Sequence, residues 1–107
     1  MATGILGTPS DLAAATNTTI YTVPSDTFAI VTVNVTNRAA ATRDIRLALS
    51  ATGTPAAGEY IEYDTELVAN GTVERSGIVL QAGKNIVAYA NSTDVNVVVY
   101  GIETATT

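Results

Sequence analysis

The stretch Glu59–Leu80, EYIEYDTELVANGTVERSGIVL, predicts the fold of this chain. Its first part, Glu59–Tyr63, alternates acidic, aromatic and apolar residues, which is typical of a half-exposed strand. Asn70-Gly71 supplies the positive φ angles that a tight turn needs, and Val73–Leu80 continues as a second strand. We therefore expect a β-hairpin centred on Asn70-Gly71. Ser76-Gly77 interrupts the second strand, which indicates a bulge or a bend there.

The remainder of the chain has the same short-strand character. In Thr27–Thr36 the valines at 31, 33 and 35 alternate with polar residues, which predicts one buried and one outward face. Turn residues recur between the strands, and no helical pattern is present. The predicted fold is all-β, an antiparallel β-sandwich or jelly-roll-like fold of seven or eight short strands. The further predicted strands are Thr18–Val23, Asp44–Ser50, Asn85–Ala90 and Val95–Ile102.

The chain is expected to form one domain with two short extensions. Residues 1–17 are small and polar, with Gly4, Gly7 and Pro9, and predict an N-terminal arm without regular structure. The β-sandwich domain is expected over residues 18–103, followed by a C-terminal tail at 104–107. An arm of this kind would order on assembly, so its removal should leave the domain folded.

Composition limits the classes of partner. Only 14 % of the 107 residues are charged, against roughly 25 % in an average soluble domain. Such a weakly charged surface is typical of a protein that packs against neighbours. The net charge of -5, with five basic residues in all, leaves no basic patch, so we expect no nucleic-acid partner. No apolar run approaches the length of a membrane span, so no membrane partner is expected.

The residue types also argue against catalysis. The chain has no His and no Cys, which removes histidine-based triads, histidine zinc sites and thiolate sites. Lys84 is the single lysine and follows Gly83 in a predicted turn, a poor place for a desolvated catalytic amine. We therefore expect a protein that is not an enzyme, with no catalytic residue, no cofactor and no metal.

An acidic cluster leaves three interpretations open. In an extended strand Glu62, Asp64 and Glu66 share one face, so their carboxylates could bind a hard cation such as calcium. A glycosidase-like pair of carboxylates is the second interpretation. The third, which the composition favours, is a solvated strand face whose charges resist edge-to-edge association.

The tyrosines and one arginine predict a contact surface. The five tyrosines could line a sugar-binding surface, but packing in the core or at an interface is the commoner use of such side chains. Arg75 is expected to meet a carboxylate of Glu59–Glu66 across the hairpin. The predicted subunit-interface residues are Tyr60, Glu62, Tyr63 and Arg75. The remaining tyrosines are Tyr21, Tyr89 and Tyr100.

Several short motifs, taken in order, resemble a known group of proteins. The motifs are Ile20–Pro24, Val31–Arg38, Glu59–Asp64, Asn70-Gly71, Glu74–Leu80 and Val97–Glu103. Together they resemble small virion structural proteins of tailed bacteriophages, particularly those of cyanobacterial and marine phages. The resemblance covers about Thr18–Glu103. It implies a β-sandwich and a role in the phage particle, and it supplies no catalytic residues.

The resemblance and the composition together give an expected function. The chain is expected to be a non-enzymatic virion protein that decorates or cements the outer surface of the capsid and stabilises the shell. Its expected partners are further copies of itself, as a trimer, and the major capsid protein or other virion proteins. The alternative is a tail, neck or fibre component that binds another subunit or a host glycan.

Overall fold

The fold is built from β-strands and contains no α-helix in the described residues. A computed structural model describes residues 2–106. It contains eight strands in order, with one short 3-10 turn at Ala57–Glu59 between the fourth and the fifth. No helix in the described range is long and apolar enough to cross a membrane. The strands are β1 (Thr3–Asp11), β2 (Thr18–Thr22), β3 (Thr27–Asn37), β4 (Arg43–Ser50), β5 (Tyr60–Leu67), β6 (Thr72–Leu80), β7 (Asn85–Ala90) and β8 (Val95–Ala105).

The strands form two antiparallel four-stranded sheets. Sheet A has the order β1-β8-β3-β6, and sheet B has the order β2-β7-β4-β5. The first strand therefore pairs with the last, the second with the seventh, the third with the sixth and the fourth with the fifth. A chain paired in this way is one long hairpin rolled into two layers, the jelly-roll arrangement. The predicted antiparallel β-sandwich is confirmed.

The predicted hairpin at Asn70-Gly71 is wrong. Strand β5 pairs with β4 at an edge of sheet B, whereas β6 pairs with β3 at an edge of sheet A. Asn70 has the expected positive φ of 60°, and the Gly71 N–H donates to the Val68 carbonyl at 2.9 Å. The turn therefore forms, but it carries the chain from one sheet to the other. Turn chemistry is local, whereas strand pairing depends on which faces are buried together.

The core lies between the sheets and follows the predicted alternation. Val31, Val33 and Val35 of β3 are buried, while the residues between them are partly exposed. They lie beside the buried valines of β8, with Val33 opposite Val99. Sheet B contributes larger side chains such as Ile45, Leu47 and Ile86. Burial of each such side chain contributes about 1.5–3 kcal/mol, which makes this double layer the main source of stability.

The prediction of an N-terminal arm without regular structure is also wrong. Thr3–Asp11 forms β1 on the edge of sheet A, paired with β8. Leu6 and Leu12 lie in the core. Gly7 approaches the Ile20 carbonyl so closely that a Cβ there would lie 2.3 Å from its oxygen. Removal of residues 1–16 would therefore uncover core and a strand edge, and would not leave an intact domain.

The C-terminal tail begins inside a strand. β8 continues through Ala105, which pairs with Thr27. The expected tail at 104–107 is thus part of sheet A for its first two residues. Met1 and Thr107, which belong to the expected arm and tail, lie outside the described residues.

A buried tyrosine ties the two sheets together on the β1–β2 side. The Tyr21 hydroxyl in β2 donates to Glu103 Oε2 in β8 at 2.5 Å. The other carboxylate oxygen of Glu103 accepts the Ala2 N–H at 3.1 Å. Burial, followed by this hydrogen bond and the charge of Glu103, raises the pKa of the Tyr21 phenol. One carboxylate therefore joins the start of β1, β2 and β8.

An amide clamp holds the loops at one end of the sandwich. The Asn37 side chain is fully buried at the end of β3. The two hydrogens of its amide group are shared among three carbonyl acceptors, those of Ala41 at 2.9 Å, Leu67 at 3.1 Å and Val68 at 3.1 Å. Its oxygen accepts the Ala39 N–H at 2.9 Å. This side chain fixes the point where the chain leaves β5 and crosses to β6.

Replacement of Leu6 tests whether β1 belongs to the folded domain. Leu6→Ala is expected to lower the free energy of unfolding by about 2–4 kcal/mol, because it leaves a cavity in the core. Thr8→Ala, at an exposed position of the same strand, should change it by less than about 0.5 kcal/mol. Chemical denaturation of both variants measures the difference. Small and equal effects would mean that β1 is a free arm.

The Tyr21 contact predicts a loss of stability at high pH. The pKa of Tyr21 is raised above its ordinary value of 10.0, so the unfolded chain loses this proton before the folded protein does. The stabilisation is fully present below about pH 10 and is lost as the pH rises through the folded pKa. Tyr21→Phe should flatten the fall in unfolding free energy between neutral and alkaline pH. An unchanged slope in the variant would contradict this assignment.

Candidate interaction surfaces

The residues predicted for an interface separate into two places. Tyr60 and Tyr63 belong to a cluster of aromatic and charged side chains on sheet B, whereas Glu62 and Arg75 join β5 to β6 between the sheets. A third surface, on the outside of sheet A, was not predicted from the sequence. No concave pocket is found among residues 2–106.

A bulge in β5 determines how the acidic residues are arranged. Ile45 pairs with Thr65 and Leu47 with Glu62, so Tyr63 and Asp64 both lie opposite Arg46. Asp64 has a positive φ of 50°, consistent with an extra residue in this strand. The bulge reverses the side-chain alternation beyond Tyr63.

The predicted carboxylate cluster is therefore not formed. Glu62 is buried between the sheets, whereas Asp64 and Glu66 are exposed. Asp64 instead accepts a hydrogen bond from Arg46 Nε at 2.7 Å. Within residues 2–106 no group of three or more acidic side chains is placed to hold a metal ion. The prediction that Glu62, Asp64 and Glu66 share one face is wrong, because it assumed an unbroken strand.

Arg46 organises the aromatic cluster on sheet B. Its guanidinium carbon lies 4.3 Å from the centre of the Tyr63 ring and 4.5 Å from that of Tyr89. The Tyr60 and Tyr63 rings meet edge to face, with centres 4.9 Å apart. The hydrogen bond to Asp64 is the main cause that raises the pKa of Arg46. The cluster combines cation–π contacts with an ion pair, and the cation–π contacts contribute about 0.5–1 kcal/mol each at exposed sites.

The predicted sugar-binding surface of five tyrosines is reduced to three. Only three tyrosines gather, since Tyr21 is buried and Tyr100 lies on sheet A. Arg46 already covers one face of the Tyr63 ring and one face of the Tyr89 ring. Tyr63 keeps an exposed side chain. Three tyrosines thus form a surface, but much of their stacking capacity is used within the chain.

The Glu62–Arg75 pair closes the β5–β6 side of the sandwich. The Glu62 carboxylate accepts hydrogen bonds from Arg75 and, at 2.6 Å, from the Thr65 hydroxyl. The Glu62 side chain is 7 % exposed, and that of Arg75 is 50 % exposed. The predicted contact of Arg75 with a carboxylate of β5 is confirmed, although the two strands lie in different sheets. The pair holds the sheets together where the apolar core ends.

The outer face of sheet A carries an exposed apolar surface, which we call the sheet A patch. Ile102 in β8, Ile30 in β3 and Val79 in β6 form one cross-strand row, and Ile5 in β1 lies opposite Tyr100 in the next row. The patch thus spans all four strands. Its members are Ile5, Ile30, Val79, Tyr100 and Ile102, with exposures of 64, 40, 62, 37 and 44 %. They are five of the seven exposed large hydrophobic residues in the described range.

The two rows of the sheet A patch contain no charged side chain. Thr3 pairs with Ile102, and Thr32 pairs with Tyr100. The nearest charged partner is Glu74, which accepts a hydrogen bond from the Tyr100 hydroxyl at 3.0 Å. This contact raises the pKa of the Tyr100 phenol.

The sequence does contain a signal for this surface. Residues 97–102 read VVVYGI, a continuous apolar run where a half-exposed strand would alternate. A run of this kind is typical of a strand that is covered on both faces. The side chains of Val97 and Val99 lie on the inner face of β8, in the core. Those of Tyr100 and Ile102 lie on its outer face.

The Glu62–Arg75 pair predicts a strong dependence of stability on Arg75. Arg75→Met should lower the free energy of unfolding by about 1–3 kcal/mol, because it leaves a buried carboxylate without its charged partner. In the Glu62→Gln background the same change should cost less, and a double-mutant cycle measures the difference. Arg38→Met is the matched control, since the Arg38–Asp11 bridge is exposed on both sides and should contribute less than about 1 kcal/mol. Equal losses at Arg75 and Arg38 would contradict the assigned role.

Comparison of the chain with protein families, with curated proteins and with solved structures finds no match. The resemblance of Thr18–Glu103 to phage virion proteins therefore remains a prediction from the sequence motifs.

Proposed function

We propose that this chain is a non-enzymatic structural protein of a phage particle. In this proposal it decorates or cements the outer surface of the capsid and stabilises the shell. The observation that carries the proposal is the sheet A patch, an apolar surface on an already complete sandwich. The sequence resemblance supports the location in a virion.

The sheet A patch supports a role in an assembly on physical grounds. The core between the sheets is closed by its own valines, so the outward side chains Ile5, Ile30 and Val79 are not needed to hold the fold. The largest contiguous apolar patch on a soluble protein is often a contact site. Burial of such surface against another protein gains roughly 25 cal/mol per Å².

Charge and fold are compatible with the same role. The net charge of -5 suits a protein on the outside of a shell, because an acidic surface is repelled by packaged DNA. Jelly rolls occur in viral capsid domains and also in lectins. This likeness is one of architecture, which by itself does not assign a function.

The alternative is a tail, neck or fibre component that binds another subunit or a host glycan. The aromatic cluster of Tyr60, Tyr63 and Tyr89 is the observation in its favour. Exposed tyrosines are used both at protein interfaces and against sugar rings. The number of copies in the particle separates the two proposals.

The copy number in purified virions tests the proposed function. Quantitative mass spectrometry against the major capsid protein is expected to give hundreds of copies in fixed ratio to the shell. A shell presents its outer contact site many times over, whereas a neck, tail or fibre does not. A few to a few dozen copies would favour the alternative. Absence from the particle would overturn the structural role.

A further inference from the structure

We propose that a second copy of this chain covers the sheet A patch, so that two molecules pack face to face about a twofold axis. The inference rests on the proposed function only in that the protein works within an assembly. It names the partner of the sheet A patch and departs from the trimer expected from the sequence.

The extent of the face suits a dimer of this kind. The four strands of sheet A have nine to eleven residues each, and with strands about 4.8 Å apart and a rise of about 3.3 Å per residue they cover roughly 600 Å². A standard protein interface buries about 800 Å² on each partner. Ile5 on the edge strand β1 and Val79 on the opposite edge strand β6 place apolar groups across the full width. The outer face of sheet A, which contains the two rows of the sheet A patch, therefore approaches the area that a standard interface buries on one partner.

Charge favours self-association through this face over other faces. Each chain carries a net charge of -5, so two copies repel one another wherever their acidic residues would meet. The two rows of the sheet A patch are filled by apolar side chains and by Thr3 and Thr32. The rows themselves bring no like charges together, and the carboxylate that borders them, Glu74, is hydrogen-bonded to Tyr100. The aromatic cluster on sheet B, in contrast, carries Asp64 and lies near exposed Glu66.

The number of suitable surfaces favours a twofold axis. In a twofold dimer one surface meets its own copy, whereas a threefold ring needs two different surfaces that fit each other. Within residues 2–106 the exposed large hydrophobic residues outside the sheet A patch are Tyr63 and Val68. Tyr63 is held in the aromatic cluster, and Val68 lies in the turn after β5. The described residues thus form one broad apolar surface and no second apolar surface of similar size. This favours a twofold dimer over a threefold ring.

The mass of the purified protein in solution tests this inference. Sedimentation equilibrium over a series of concentrations is expected to show two chains, twice the 11.0 kDa of one. Ile30→Lys and Val79→Lys place a charge in the interface and should weaken association at least about tenfold. Both side chains point to solvent in the single chain, so the domain should stay folded by circular dichroism. Val68→Lys is the matched control, since Val68 is equally exposed outside the patch, and it should leave the dimer unchanged.

Three results would overturn the inference. They are the mass of a single chain at every concentration, the mass of three chains, and a dimer that Ile30→Lys leaves intact. A single-chain mass with hundreds of copies in the virion would remove the twofold pair and keep the structural role. A stable pair with no copies in the virion would do the opposite. The two proposals therefore fail separately.

Discussion

The burial of alternating valines in β3 and β8 is the constraint on which the rest of the structure depends. Because side chains alternate along a strand, Val31 and Val33 on the inner face require Ile30 and Thr32 on the outer face. Gly101 allows the two strands to approach, since a Cβ there would lie 2.1 Å from the Ile30 carbonyl oxygen. A slip of one residue would exchange the inner and outer sets. The register that buries the valines therefore also exposes the residues of the sheet A patch.

Polar contacts complete the sandwich where the apolar core ends. Tyr21 and Glu103 join the sheets on the β1–β2 side, and Glu62 with Arg75 joins them on the β5–β6 side. The buried amide of Asn37 fixes the crossing from β5 to β6. Such contacts add less stability than the core, but each is directional and specifies one arrangement of the edges. They explain how a chain with few charged residues still fixes its strand order.

Local patterns in the sequence predicted local structure well. The alternation in β3 and the bulge at Ser76-Gly77 are both present, with Gly77 at a φ of 71°. Long-range pairing was not predictable in the same way. Asn70-Gly71 fixes a turn but not whether the flanking strands pair. The extra residue at Asp64 places Asp64 and Glu66 on the face opposite Glu62. Strand β1 has a single inward leucine before its break at Gly7, too short a pattern to distinguish it from a polar arm.

We infer that the outer face of sheet A is covered when the protein is assembled. Hydroxyl-radical footprinting of the chain, diluted until it sediments as a monomer, and of the protein in purified particles tests it at the level of single side chains. We expect Ile30, Tyr100 and Ile102 to be oxidised in the dilute chain and protected in the particle. Tyr63 and Val68, away from this face, should be oxidised in both states. Equal oxidation of the sheet A residues in both states would mean that this face stays exposed in the particle.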